Sequence, residues 1–161
     1  MRVVVATDRS STAEAAVAWA AQLARHEQGE LVLLQVVPAS SNGAGSEADV
    51  AALQESLSER ARELAGERGS AIVAVAQEAA GAIVEAAVAQ GADVLVVGNA
   101  GMAGRKEFLL GNVPNRVSHA ARCTVVIVNT SSPPGGDNGR PADGGALNAR
   151  ARRALERARP S

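Results

Sequence analysis

The chain has 161 residues, 47% hydrophobic and 20% charged, with a formal charge of −1 at pH 7; these proportions suit one soluble globular domain and exclude a mainly disordered or membrane-embedded chain. Trp19 and Phe108 are its only aromatic residues, so the core must be built from Ala, Val, Leu and Ile, and a ring-shaped ligand could not be sandwiched between aromatic side chains. Six arginines against three acids from Ser131 onward give +3 there and leave −4 on residues 1–130, which argues against a nucleic-acid-binding face.

Val3 to Ala6 is an apolar run of strand length. Ser11 and Glu14 match a capping box that opens a helix over 13–26, stopping before Gly29. Leu31 to Val37 (LVLLQVV) is a second buried strand, and strand, helix, strand pair most naturally as a right-handed parallel unit. The alternation continues with a helix over 47–67, capped by Ser46 and closed by Gly69, then a strand over 71–76. A helix over 80–90 ends at Gly91; Asp93 to Val97 (DVLVV) is the fourth strand. After a long loop comes a helix over 113–121 and the strand Thr124 to Val128 (TVVIV). Five strands alternating with four helices predict an α/β fold with a doubly wound five-stranded parallel sheet. The domain is expected over residues 1–130. From Ser131 a Pro/Gly/Ser-rich linker leads to the Arg-rich segment 147–159, read first as a solvated tail.

In such sheets ligands sit beyond the carboxyl ends of the strands, where strand order reverses. The fourth strand runs into Gly98-Asn99-Ala100-Gly101, and Gly111-Asn112 precedes a helix with Pro114 in its first turn. Unpaired N–H groups at a helix start, with glycines that allow close approach, make a phosphate cradle in outline. Neither a Walker string nor G-x-G-x-x-G is present; judged alone, the spacing fits an ordinary surface loop equally well. Asp8 closes the first strand, where its carboxylate could accept from ribose hydroxyls or from loop N–H groups.

Together, VVVATDRS, LVLLQVVP and DVLVVGNAGMAGRKEFLLGNVPNRVSHAARCTVVIVNT resemble the universal stress proteins over residues 1–130. Gly98, Gly101, Gly111 and Asn112 form G-x2-G-x9-G-N, similar to the ATP-binding signature G-x2-G-x9-G-[ST] of one subgroup, with Asn112 in place of Ser or Thr. The resemblance implies a Rossmann-like fold, often dimeric through the last strand, holding ATP, with AMP or cyclic AMP as alternatives and Mg²⁺ accompanying the phosphates. It places Asp8 at adenine or ribose, Val36 at adenine through its backbone, Gly98 at ribose, and Gly101, Gly111, Asn112 and Val113 around the phosphates. Ala6, Thr7 and Asn99 complete the implied nucleotide-binding set. It also implies a regulatory role signalling stress or nucleotide state; the alternatives are a dimeric interaction module that binds no nucleotide and the sensory front end of a larger protein.

Arg105 and Lys106 read as solvated loop cations, and Phe108, Leu109 and Leu110 as loop anchors. Ser118 and His119 are neighbours on a helix and read as structural, Asp93 as a turn or cap residue, and Cys123 as buried and inert. No catalytic pair stands out, so slow incidental ATP hydrolysis is the most that is expected. One cysteine, with His26 and His119 far apart, gives no metal site. No secretory leader and no apolar run near the ~18 residues of a membrane span are seen, so the expectation is the cytoplasm, with no membrane partner.

Overall fold

The computed structural model describes residues 1–39, 47–99 and 112–129. Ser46, Gly101, Gly111, the loop anchors, the loop cations and the tail lie outside them. Within these residues the elements are β1 (Arg2–Ala6), α1 (Ser11–His26), β2 (Glu30–Pro38), α2 (Glu47–Ala65), β3 (Gly69–Ala76), α3 (Ala79–Ala89), β4 (Val94–Gly98), α4 (Asn112–Ala120) and β5 (Thr124–Val128). The single 3-10 turn Gly66–Arg68 ends α2, two residues before the stop expected from sequence.

All strand pairs are parallel, in the order β3-β2-β1-β4-β5. Alternation along β1, β2 and β4 splits the core in two. Val3, Val5, Leu31, Leu33, Val94 and Val96 face α1 and α2, meeting Ala16, Val17, Ala20 and Leu57. Val4, Val32, Leu34, Leu95 and Val97 face α3 and α4, meeting Ala80, Ile83, Ala87 and Val117. Among the described residues the buried hydrophobic side chains are aliphatic, and the many alanines on the inner helix faces let the helices approach the sheet closely.

Helix α1 starts differently from the sequence expectation. Arg9 takes a positive φ of 60°, which turns the chain so that Ser10, extended at φ −70°, ψ 158°, becomes the cap, its hydroxyl accepting from Ala13 N–H at 3.2 Å. Ser11 is already helical, and Glu14, freed from the capping role, pairs with Arg60 of α2 at 3.2 Å. The other end closes with Gln28 at φ 50°. Its N–H donates to Arg25 C=O, and that of Gly29 donates to Ala24 C=O at 2.8 Å, the paired bonds of a Schellman motif. Gly29 is required for a different reason: a Cβ there would collide with the Met1 carbonyl.

Strand β3 is a sheet edge, but its outward backbone is engaged. Gln54 of α2 donates through Nε2 to Ala71 C=O at 2.7 Å and accepts at Oε1 from Val73 N–H at 2.9 Å. One side-chain amide thus takes the place of a neighbouring strand's peptide and blunts the edge.

Candidate functional site

The chain leaves β1 toward β2 on one side and β4 toward β5 on the other, so strand order reverses between β1 and β4, and their carboxyl ends open a cleft. Its floor and walls are aliphatic: Ala6, Leu34, Val36 and Val97 from the sheet, Ala13 from α1, Ile83 from α3, Val113 and Pro114 from α4. Thr7, Asp8 and Gly98 complete the rim.

The polar groups are fixed by the turn out of β1. Thr7 N–H donates to Leu34 C=O at 2.8 Å, the last backbone bond between β1 and β2, and the buried Thr7 hydroxyl accepts from Arg9 N–H at 3.0 Å. Asp8 Oδ1 accepts from Ser10 N–H at 2.9 Å; the loop-bonding alternative therefore holds for that oxygen, and it orients the carboxylate at the cleft rim. Backbone groups of alternate residues in a strand point to the same side. Since Leu34 C=O faces β1, the N–H and C=O of Val36, two residues on, face the space that β1 vacates after Thr7. An adjacent donor and acceptor thus edge an aliphatic slot.

On the far wall, α4 begins at Asn112, so Asn112 stands in the first turn and not ahead of it, one residue earlier than the helix start read from sequence. Pro114 is fully buried beneath. Arg116 of α4 pairs with Glu78 at 3.0 Å, and Glu78 caps α3, accepting from Ala80 N–H at 2.8 Å and Gly81 N–H at 2.7 Å. These backbone bonds, with the Arg116 guanidinium nearby, hold the Glu78 carboxyl below its ordinary range. Glu78 ties the start of α3 to α4 and so steadies the far wall.

Of the residues singled out in the sequence, Ala6, Thr7, Asp8, Val36, Gly98 and Val113 meet in this cleft. Asn99 does not join them: its N–H donates to Val128 C=O at 2.9 Å and its Nδ2 to Asn129 Oδ1 at 3.0 Å, which turns it toward β5. Gly101 and Gly111 lie outside the described residues. Ala13, Leu34, Ile83, Val97 and Pro114 were missed as wall residues; the inward periodicity of α3 (Ala80, Ile83, Ala87) was the available signal for Ile83. Asp93 is a turn residue as read, its Oδ2 accepting from Arg2 N–H at 2.7 Å. Ser118 donates to Asn115 C=O at 2.7 Å. Cys123 is half-buried against the α3/α4 core, less enclosed than expected because the edge strand that follows it has a neighbour on one side only. Among the described residues no group of three His, Cys, Asp or Glu is placed to hold a metal, and no helix is long and apolar enough to cross a membrane.

A wider depression at the amino ends of the strands has its polar groups bonded to one another. Arg2 joins Glu30 and donates to Gln90 C=O at 2.6 Å, while Arg68 donates to Gln28 C=O at 2.6 Å. It is a seam between strand starts.

The model of the universal stress protein family matches residues 1–129. The chain belongs to that family. A universal stress protein of Bacillus subtilis, YxiE, is 32% identical over 144 residues, covering 79% of this chain and 97% of the relative. Among solved structures, a universal stress protein in complex with cAMP is 30% identical with a TM-score of 0.62, covering 81% of this chain and 98% of that one. A universal stress protein from Archaeoglobus fulgidus in complex with dAMP is 25% identical with a TM-score of 0.59, over 80% and 98%. The shared fold is thus the five-stranded parallel α/β sheet of universal stress proteins.

Proposed function

We propose that this universal stress protein binds an adenine nucleotide in the cleft between β1 and β4 and acts through the bound state as a regulator. The observation that carries this reading is the Val36 backbone, a donor and an acceptor facing an aliphatic slot, matched to the edge of adenine, which presents an amino donor beside a ring acceptor. Adenine lies on Leu34, Val97 and Ile83, Asp8 takes the ribose hydroxyls, and Gly98 lets the sugar approach the backbone. The phosphates run toward the start of α4, where the first N–H groups and the helix dipole favour anions. Complexes of relatives with cAMP and dAMP support the ligand class; the G-x2-G-x9-G-N string extends it to ATP, with Mg²⁺ accompanying a triphosphate.

Binding without efficient turnover is part of the proposal, since Asp8 is the one titratable side chain among the described cleft residues and general acid–base or nucleophilic catalysis needs a partner for it. So is a homodimer through β5 in the cytoplasm. Strand β5 is the second sheet edge, paired among the described residues on one side only, with β4, whereas the β3 edge is blunted by Gln54. A second reading, an interaction module without nucleotide, is favoured by Asn112 in place of Ser or Thr and by the Asn99 amide already paired with Val128.

Calorimetric titration with ATP, AMP and cAMP decides between them. Saturable heat with at least one nucleotide, abolished in Gly98→Val and weakened in Asp8→Ala, is the expected result. No heat with any of the three leaves the interaction module.

A further inference from the structure

The universal stress match ends at residue 129 and β5 at Val128, leaving the last 32 residues without an assigned role. One face of β5 points to where they belong. Helix α2 packs on β2 and β3, and α1 on β1 and β4. On that side of the sheet no described helix lies beyond α1, so Val126 and Val128 are only partly covered there. Glu14 marks the α2-facing side of α1 by its pair with Arg60. Trp19, five residues later, lies about 140° around the helix, on the flank of α1 away from α2, with Leu23 one turn on. Trp19 is 36% exposed. Leu23, Val126 and Val128 are partly buried against the same core and make an apolar shelf along the last strand, and Trp19 on that flank of α1 supplies its outer rim.

The tail carries a complementary stripe. Leu147, Ala151, Ala154, Leu155 and Ala158 recur at three- and four-residue steps, one helical face, with Arg150, Arg152, Arg153 and Arg157 off it. Twelve residues of helix run ~18 Å, close to the ~16 Å of a five-residue strand. The connecting residues 131–146 span ~20–24 Å root-mean-square as a flexible chain, enough to return along β5. The tail's +3 faces a body of −4. Such a tether gives a local concentration in the millimolar range, so a contact too weak to form between separate molecules is populated.

We propose that residues 147–158 fold back as an amphipathic helix and cover the Trp19–Val128 shelf of their own chain. The tail becomes the missing outer layer on that side of the sheet.

Trp19 is the chain's single tryptophan and there is no tyrosine, so its fluorescence reads the shelf directly. The full chain is compared with the full-length double variant L147E/L155E by emission wavelength and acrylamide quenching across a dilution series. The expected result is a red shift and a higher quenching constant in the variant, with the wild-type values independent of concentration. Identical spectra and quenching would overturn the proposal, and so would protection of Trp19 that vanishes on dilution, which assigns the shelf to a second copy. Limited trypsin digestion of the unaltered chain adds a readout that needs no variant. Cleavage after Arg150, Arg152, Arg153 and Arg157 is expected to lag behind cleavage at the same bonds in a free peptide of residues 141–161, and equal rates count against docking.

Discussion

Gly29 and Asp8 show how a residue's position can be plain in sequence while its reason is not. Gly29 marks the end of α1 as its sequence suggests, yet the positive φ belongs to Gln28, and Gly29 is needed because the strand start packs its carbonyl against the Cα. That contact joins residues 28 apart and has no local signature. Gly29→Ala is expected to lower stability by about 1–3 kcal/mol, the usual cost of forcing a methyl group into packed space, measured by urea unfolding; an unchanged midpoint would show that Met1 moves aside freely. At Asp8 the loop-bonding role read from sequence is realised, and because a carboxylate has two oxygens the proposed ribose role is compatible with it. Ser10 N–H fixes one and the loop so formed presents the group to the cleft. Asp8→Asn keeps an acceptor for Ser10 and removes the charge; it is expected to retain stability while weakening nucleotide binding, which paired unfolding and titration curves separate.

At the scale of elements, every strand and helix was legible from apolar runs, 3.6-residue periodicity and glycine stops, and the discrepancies fall at helix starts and edges. Ser10 replaces Ser11 as the cap because Arg9 adopts a left-handed conformation that no propensity rule assigns to arginine. Glu78 caps α3 although glutamate is not among the preferred cap residues; two backbone donors and Arg116 on α4 make up the difference. Because its folded-state pKa is lowered, this carboxylate contributes stability above the unfolded-state value of glutamate, and the contribution is lost as pH falls through the folded value. Glu78→Gln should therefore be less stable than wild type at neutral pH, with the gap narrowing on acidification below the ordinary glutamate range. A gap that stays constant with pH would remove charge from the explanation. Gln54 is the other element-scale surprise, since a polar residue within α2 reads as solvated until the β3 backbone is placed beside it. Gln54→Leu leaves Ala71 C=O and Val73 N–H unpaired and is expected to cost about 1–3 kcal/mol. It should also promote concentration-dependent association through the opened edge, detected by light scattering; a stable, unchanged association state would show that the edge needs no cover.

For the molecule as a whole, the strand order that makes a switch point between β1 and β4 is the consequence of short right-handed crossovers, which is why the architecture and the end of the sheet that carries the cleft could both be read from alternation alone. The cleft walls were only partly legible. Ile83, Leu34 and Pro114 reach it because three elements distant in sequence converge there, and nothing local announces that convergence. The unequal edges bear on assembly: with β3 blunted and no described strand on the outer edge of β5, light scattering is expected to find a dimer at high micromolar concentration, and a monomer there would remove β5 as a pairing surface.

Amide NMR of the labelled chain during titration with AMP addresses the nucleotide cleft most directly. Saturable shifts of the Val36, Asp8 and Gly98 amides, with Gly29 and Glu30 at the opposite end of the sheet unmoved, are the expected result. Saturating AMP that leaves Val36 and Gly98 in place, or that perturbs the amino-terminal seam instead, would contradict adenine recognition between β1 and β4.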